Sequence, residues 1–564
     1  MADATLATKR NIEVGGSALQ ADVEGQLESV LIVDRLSMPD TFSLVFRDPD
    51  RDILKRSGLE IGKKVKISTA LRNDSPEPLI DGEVTSIEAD YDTLGARAIV
   101  RGYDLSHRLN AGRKTKTFQN VKLSDVASQL ASAAGLQAEV DDSGGTVEHL
   151  LQPNLSDLDF LYALARRIGF DCWVDGAKLY FKRPTESSAA PGTGEVGTEN
   201  PVQLVWSDNL LEFQARVSAV AQVSEVKVRG WDVQNKKAVI GQADVSATNA
   251  QLPDGPSPAD LAGKVGGQTL VVVDRPVGTQ EAADALASAK AEQVGSAAFE
   301  ATAVAIGSPE LKAGTAVSIS GVDPTLEGKW VISSTRHEFG AGPYRTHLEF
   351  SGRQDRSLHG LVANGLPGSS GERSRVPGVV IAIVTNNDDP NKQGRVKLKY
   401  PWLSDDAESF WARVAMPGAG ADTGVVWIPQ VDDEVLVAFE HGDFAYPVVI
   451  GGLWNGKDAA PLGDGLFDAG RVKRSGFISR KGHKVVFFDG DDESGIALLS
   501  QDGKFKVSLN ETKGQLHIKA DGKLVIEARS LEIKVDTDAK LNAAGVSLEA
   551  SGQVKIKGAT VALN

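Results

Sequence analysis

The stretch LEIKVDTDAKLNAAGVSLEASGQVKIKGATVAL, residues 531–563, alternates apolar and polar side chains in short sets that are separated by turn residues. Strict alternation of this kind is typical of strands with one apolar face. The pattern starts at Val507, its sets recur every seven to ten residues, and no helical periodicity interrupts it. The apolar members are Val507, Leu509, Leu516, Ile518, Leu524, Ile526, Leu531, Ile533, Val535, Val546, Leu548, Val554, Ile556, Val561 and Leu563.

These strips have no second apolar face, so a single chain offers nothing on which to bury the first one. Short repeating units form a core only by stacking on neighbours. We therefore predict that other copies of the chain are those neighbours, wound together into an intertwined β-helical needle whose shared core is the set named above. The outward positions between Lys519 and Lys557 carry charges of both signs. Such a surface argues against a lipid-facing barrel, whose outer face would be apolar.

Length and composition limit the number of domains and the kinds of partner that the chain can have. At roughly 150 residues per domain, 564 residues predict three or four domains. The net charge of −15 argues against a nucleic-acid partner, which would require clustered Lys and Arg, and against attraction to anionic lipid. The N-terminus MADATLATKR has no apolar core, and the longest apolar runs are far shorter than a membrane-spanning helix. We expect synthesis in the cytoplasm without a signal peptide, and no stable membrane insertion.

The sequence divides into five segments. Residues 1–360 mix strands with helices near 124–134, 156–168 and 280–294, and residues 361–376 are a linker rich in Gly and Ser. Residues 377–456 alternate in short strands that suit a small barrel of the OB type. A connector, 457–474, leads to the needle, 475–564. The predicted fold is mainly β with some α.

Several motifs resemble those of the VgrG family, the central spikes of contractile injection systems. The hub part, similar to the phage late-control D protein, carries LQPN (Leu151–Asn154) and DFL (Asp159–Leu161). The part that resembles the phage baseplate OB domain carries GRVK (Gly394–Lys397), WARV (Trp411–Val414), PQVDDEVLVAFEHGD (Pro429–Asp443) and PVVIGGLWN (Pro447–Asn455). The start of the needle, HKVVFFD (His483–Asp489), fits as well.

The resemblance implies a homotrimer with two barrel-like modules in each hub. It implies inner-tube and baseplate proteins as partners of the hub, possible effector cargo, and a PAAR-type protein capping the tip. By position, the tip residues are Thr560, Val561, Ala562, Leu563 and Asn564. Such a particle is delivered outward or into a target when it fires.

The search for chemistry gives no catalytic, cofactor or metal residue. GTGEVG, residues 192–197, matches a dinucleotide motif but lies in a Pro/Ser/Gly-rich loop, where the required strand and helix are missing. The histidines are scattered, and the acidic run at 489–493 lacks the Gly and the distal Glu of a calcium loop. The connector is too short for an enzyme domain, and the chain ends within the alternating pattern, so we expect a bare spike.

We therefore predict a structural, non-enzymatic hub and spike that nucleates a baseplate and pierces an envelope when a sheath contracts. Two alternatives stay open. One is an envelope hydrolase, because related phage spikes carry lysozyme domains. The other is a carbohydrate-binding spike that uses exposed tryptophans such as Trp402.

Overall fold

A computed structural model describes residues 9–36, 38–70, 76–93, 95–194, 197, 200–354, 376 and 378–562. Within them the chain forms two compact units, one ending at Leu453 and the other beginning at Trp454. Strands far outnumber helices, so the predicted mainly-β class is confirmed. The predicted linker 361–376 lies outside the described residues except for Val376.

The first part of the hub is a group of antiparallel strands. Its elements are β1 (Lys9–Val14), β2 (Ser17–Ala18), α1 (Ala21–Glu24), β3 (Leu27–Arg35), β4 (Thr41–Arg47), α2 (Ile53–Ser57), β5 (Lys64–Ala70), β6 (Glu77–Asp92) and β7 (Gly95–Asp104). Alternate residues of β3 and β4, such as Ile32, Phe42 and Leu44, are buried, whereas their neighbours are partly exposed. Period-two burial of this kind places one face of each strand on a shared core.

A helical segment follows. Its elements are β8 (Lys114–Val121), α3 (Leu123–Ala133), β9 (Gln137–Val140), β10 (Val147–Leu155), α4 (Asp157–Ile168), β11 (Asp171–Asp175) and β12 (Lys178–Lys182). The helices predicted at 124–134 and 156–168 are present, within a residue at each end. The Ser156 hydroxyl accepts a hydrogen bond from the Asp159 amide (3.0 Å) and begins α4. Gly169 ends that helix with a left-handed φ of 73°, which glycine adopts without steric cost.

The rest of the hub contains a second group of strands and two more helices. The elements are β13 (Gln203–Val205), β14 (Leu210–Val217), β15 (Glu225–Asp232), β16 (Lys237–Asp244), β17 (Ala250–Gln251), α5 (Pro258–Lys264), β18 (Thr269–Val272), α6 (Gln280–Ser296), β19 (Phe299–Ile306), β20 (Ala316–Ser320), β21 (Gly328–Val331), β22 (Ser334–Phe339) and β23 (Arg345–Phe350). Helix α6 covers β15 and β16, where Gly241 is so close to Ala283 that a side chain at this position would clash with the helix backbone.

One sheet joins the two strand groups. Its order is β14-β19-β23-β22-β3-β4-β7-β6-β5-β1-β2, and the junction is the antiparallel pair β22 and β3, with His337 opposite Ile32. Each group is a curled half-barrel, as expected for a hub with two barrel-like modules. The Gly-rich segment at 192–194 contacts this part of the hub, because the Gly192 carbonyl accepts hydrogen bonds from Gln203 and Ser318.

The barrel segment follows at the end of the first unit. Its strands are β24 (Val379–Asn386), β25 (Lys397–Lys399), β26 (Arg413–Val414), β27 (Ala419–Gly420), β28 (Thr423–Gly424), β29 (Glu434–Phe439) and β30 (Pro447–Gly452). Five of them form a sheet in the order β25-β24-β29-β30-β26. The residues that alternate in the sequence, including Val396, Leu398, Val435 and Val437, form its buried core.

The second unit begins with two short strands and continues as an antiparallel meander. Its strands are β31 (Phe467–Asp468), β32 (Arg471–Val472), β33 (Arg474–Ile478), β34 (Lys484–Asp489), β35 (Ser494–Leu499), β36 (Phe505–Asn510) and β37 (Gln515–Ala520). Each of β33 to β36 pairs with the strand that follows it. From residue 522 to Ala562 the described chain has no strand and no backbone–backbone hydrogen bond of its own.

Candidate assembly interface

The meander presents one continuous apolar face to solvent. Cross-strand neighbours on this face include Val485 opposite Leu498, Leu498 opposite Val507, and Val507 opposite Ile518. Leu498 is 50% exposed and Ile518 54%, although both lie in the middle of strands. Six members of this face were not in the predicted core: Phe477, Val485, Phe487, Ile496, Leu498 and Phe505. Their alternation was visible in the sequence, and extending the pattern upstream of Val507 would have found them.

The apolar row continues through residues 521–562, where every predicted core residue is exposed. Ile526 is 66% exposed and Ile533 75%, because no other described part of the chain covers them. The same holds for Leu524, Leu531, Val535, Val546, Leu548, Val554, Ile556 and Val561. Leu563 and Asn564 lie outside the described residues. Long rows of exposed apolar side chains are rare on monomeric proteins and mark interaction surfaces.

The spacing within this row is more regular than the alternation alone suggests. The first residues of successive sets are Leu516, Leu524, Leu531, Ala539, Val546, Val554 and Val561. These positions advance by eight and seven residues in strict alternation, which is a 15-residue repeat of two sets. The repeat adds Ala539 and Leu541 to the predicted core, and Leu541 is indeed 74% exposed. The positions two residues further on hold only Ile or Leu, so no polar side chain interrupts the row.

Three features of the structure bear on other kinds of site. Across the described part of the chain, no three His, Cys, Asp or Glu side chains lie together as metal ligands would. In the same residues, no helix has both the length and the apolar character that a membrane crossing needs. Trp402 is half exposed, and its indole N–H donates to the Ile381 carbonyl (3.0 Å), so the ring is fixed against the barrel.

The GRVK motif of the barrel serves a buried ion pair. Arg395 donates from Nη2 and Nε to the two carboxylate oxygens of Asp389 (2.7 and 3.1 Å), and both side chains are over 90% buried. The Asp389 carboxylate also accepts from the amides of Asn391 and Gln393. These bonds, chiefly those from Arg395, hold the pKa of Asp389 far below its usual range. The Arg395 guanidinium lies 5.8 Å from the Trp411 ring. Sequence reasoning assigned no role to this motif.

Three carboxyl groups at the ends of the hub strands influence one another electrostatically, although they are not arranged as metal ligands. Asp34 accepts from the Ala313 amide (2.9 Å), Asp40 from the Arg35 amide (2.9 Å), and Asp104 from the Ser106 amide (3.0 Å). Desolvation is the main reason why the pKa of Asp34 is raised to about 6, that of Asp104 to about 7, and that of Asp40 as well. Repulsion from Asp34 adds to the shifts of Asp40 and Asp104. The folded hub therefore binds more protons near neutral pH than the unfolded chain does.

This cluster predicts that the hub is more stable in mild acid. Between about pH 4 and pH 7 the free energy of unfolding should fall as pH rises, because the folded state must give up protons that the unfolded state has already lost. We expect Asp104→Asn to remove about 2–4 kcal/mol of this dependence, since one pKa unit corresponds to about 1.4 kcal/mol. Native-state hydrogen exchange of β3 and β4 at pH 5.0 and 7.5, divided by the intrinsic exchange rate at each pH, measures it. Asp50→Asn, on an exposed loop, should keep the full dependence, and an equal loss in both variants would contradict the assignment.

Comparison with models of known protein families shows the family to which the chain belongs. A model described as the Alg8 N-terminal domain matches residues 6–340, which is more than half of the chain. The chain belongs to the Alg8 N-terminal domain family. A second model, the type VI secretion system/phage-baseplate injector OB domain, matches residues 380–454 of this Alg8-family chain.

Curated relatives of this Alg8-family chain include VgrG spike proteins, so the predicted resemblance is confirmed. The actin cross-linking toxin VgrG1 of Vibrio cholerae is 27% identical over 154 residues, which are 25% of this chain and 14% of the relative. The type VI secretion system spike protein VgrG2a of Pseudomonas aeruginosa is 34% identical over 97 residues, which are 16% of this chain and 12% of the relative. The matches thus span less than one sixth of these relatives' own length.

A solved structure shares the fold over nearly the whole chain. A chain of the Francisella PdpA–VgrG complex is 10% identical, with a TM-score of 0.51, and the match covers 92% of this chain and 89% of that one. At this level of identity the likeness is one of fold.

Proposed function

We propose that this chain is the structural hub and spike of a phage-tail-like contractile injection system and that it works as a homotrimer. The observation that carries the proposal is the exposed apolar row that runs from Phe477 to Val561 on one side of the second unit. A second copy offers the same row, so identical chains can bury it on one another around a shared axis. The family matches and the VgrG relatives support the same assignment.

The backbone of the second unit supports a needle with two kinds of layer. Strands β33 to β37 pair within one chain, so three such sheets can meet through their apolar faces alone. Residues 522–562 make no backbone–backbone hydrogen bonds with any part of the chain that the structure describes. Buried backbone groups need partners, so in an assembled needle these residues pair between chains. Over residues 522–562 the result is a rod without open strand edges, which suits a part that must resist bending.

The remaining assignments rest on the relatives. Residues 1–360 form the hub that meets inner-tube and baseplate proteins, and the barrel at 377–456 and the connector at 457–474 link it to the needle, 475–564. Thr560 to Asn564 would dock a PAAR-type tip protein, and effector cargo is a further possible partner. The protein is made in the cytoplasm and leaves as part of the injection particle. Its role is mechanical and not enzymatic.

The two alternatives have less support. An envelope hydrolase would need a catalytic group, and the polar clusters described above are ion pairs and hydrogen-bonded carboxyl groups of the fold. A carbohydrate-binding spike would use exposed rings, and Trp402 at 50% exposure is the best placed. Loss of glycan binding in Trp402→Ala, with the trimer intact, would favour that reading.

Light scattering on the native protein tests the proposal. We expect the full-length chain to have three times its chain mass of 59.7 kDa. A chain that ends at Asn455 lacks the apolar row, and it should fall to a lower mass while its hub stays folded. A full-length monomer would contradict the shared needle core, and residues 475–564 would then be a needle formed by one chain.

A further inference from the structure

One strand of the helical segment, β10, carries a contact between hub and barrel, in addition to the hydrogen bond from Gln393 to Gln234 (2.6 Å). On β10, His149 and Leu151 point away from the hub core and toward the barrel. The His149 ring packs 5.9 Å from the Phe410 ring, and Leu151 is part of the barrel's own core cluster. We call the four residues His149, Leu151, Glu408 and Phe410 the hub–barrel joint.

The hydrogen bonding of His149 fixes its protonation state in the joint. Nε2 lies 3.0 Å from the Glu408 carbonyl oxygen, which can only accept, so Nε2 carries the proton. Nδ1 is buried and has no hydrogen-bond partner among the described residues, and the side chain is 9% exposed. A second proton, on Nδ1, would therefore give the ring a positive charge and leave a buried N–H without an acceptor.

The charged groups around His149 do not compensate for that second proton. From the barrel, Lys397 and Glu408 act on the ring, and the Glu408 carboxylate is already bound to Lys397 (2.7 Å) and Thr385 (2.7 Å). On β8, the residue paired with His149 is the uncharged Gln119. On β10 itself, Glu148 has its side chain on the opposite, exposed face of the strand. Desolvation is the main reason why the pKa of His149 is lowered from 6.5 in the docked state.

We propose that the hub–barrel joint is a pH-sensitive hinge: the barrel docks on β10 while His149 is neutral, and acid releases it. The undocked imidazole meets water at Nδ1 and can take up a proton, whereas the docked one, which is desolvated, takes it up less readily. Acid thus stabilises the undocked state more than the docked one, and the equilibrium shifts toward it as pH falls below about 6.5.

Native-state thiol labelling measures the opening of the joint. In the full-length protein, Leu151→Cys places a thiol there that a pyridyl disulfide reagent reaches only when the barrel undocks. Rates are divided by those of an unstructured cysteine peptide at the same pH, which yields the opening constant. An undocked imidazole of ordinary pKa is mostly protonated at pH 5.5, so we expect the opening constant to rise up to about tenfold from pH 7.5 to 5.5.

The native Cys172 serves as an internal control. It is 3% exposed in the helical core, away from the joint, and its labelling should not rise with acid. In a His149→Gln chain, which keeps a donor for Glu408 but cannot titrate, the rise at Leu151→Cys should vanish. His441→Asn, at an exposed position of the same barrel, should keep it.

The same measurements can overturn the hinge. Acid does not act through His149 if the opening constant of the Leu151→Cys chain that keeps His149 does not rise at pH 5.5. The same conclusion follows if the chain that also carries His149→Gln shows the full rise. A chain that fails to fold is recognised at once, because Cys172 then labels as fast as the peptide. In that case the Leu151→Cys chain that keeps His149 still decides the proposal. The pH response of its introduced thiol is compared with that of Cys172 in the same molecules.

Discussion

The variant Ile526→Asp should not form a trimer. In an assembly with threefold symmetry, one substitution places three carboxylates in a single layer of the needle core. Burying even one ionised carboxylate without a partner costs more than the whole stability of a typical domain, so the chains separate or the group takes up a proton. We expect light scattering to show the mass of one chain at neutral pH, with the hub still folded.

Val525→Asp is the matched control. Val525 is 56% exposed and Ile526 66%, so an isolated chain gives no reason to distinguish them. In the 15-residue repeat, however, Ile526 occupies a position that faces the predicted needle core, whereas Val525 occupies a position that faces outward. Val525→Asp should therefore leave the trimer intact. Equal disruption by both variants would mean that residues 524–526 are not strands with one buried face, and a trimeric Ile526→Asp would refute the shared core.

The alternation in the sequence predicts the needle core, which stays a prediction, and it does not show where the chain changes its pairing. The meander and the residues after it share the same apolar pattern. The difference lies in the turns: Gly503 and Gly514 have φ of 69° and 57°, which reverse the chain into hairpins. Gly522, Gly545 and Gly552 do not have positive φ, and the chain continues without reversing. A glycine in the sequence shows only that a left-handed conformation is allowed there. The pairing of the strands could therefore not be predicted from the glycines.

The hub shows the other limit of sequence reasoning. Helices α3 and α4 were predictable, because their stripes and caps are local. The junction of β22 with β3 pairs residues 334–339 with residues 30–35, and no local pattern relates segments about 300 residues apart. His337 illustrates the consequence: its Nδ1 lies 2.7 Å from the Tyr344 hydroxyl, and burial lowers its pKa to about 3. It is a neutral core histidine of a sheet that only the fold assembles.

For the barrel motif GRVK, the sequence predicted the resemblance to the baseplate OB domain, which is confirmed, but not the role of Arg395. The variant Asp389→Ala tests that role. It leaves the Arg395 guanidinium buried without its carboxylate, and removing one partner of a buried pair costs about 3–5 kcal/mol. Since 1.4 kcal/mol is a factor of ten, hydrogen-exchange protection of β24 and β29 should fall by about two to three orders of magnitude. Exchange is the right measurement, because a chain with several domains does not unfold in two states.

The neighbouring Asp388→Ala is the control for this effect. Asp388 is exposed, and its backbone amide, not its carboxylate, makes the bond to Asn386 (2.8 Å). Its loss should change protection by less than about threefold, since exposed substitutions usually cost less than about 0.5 kcal/mol. Comparable losses in Asp388→Ala and Asp389→Ala would assign the effect to the loop backbone and not to the ion pair. A loss confined to Asp389→Ala, with the hub strands β3 and β4 still protected, would establish that the pair with Arg395 holds the barrel together.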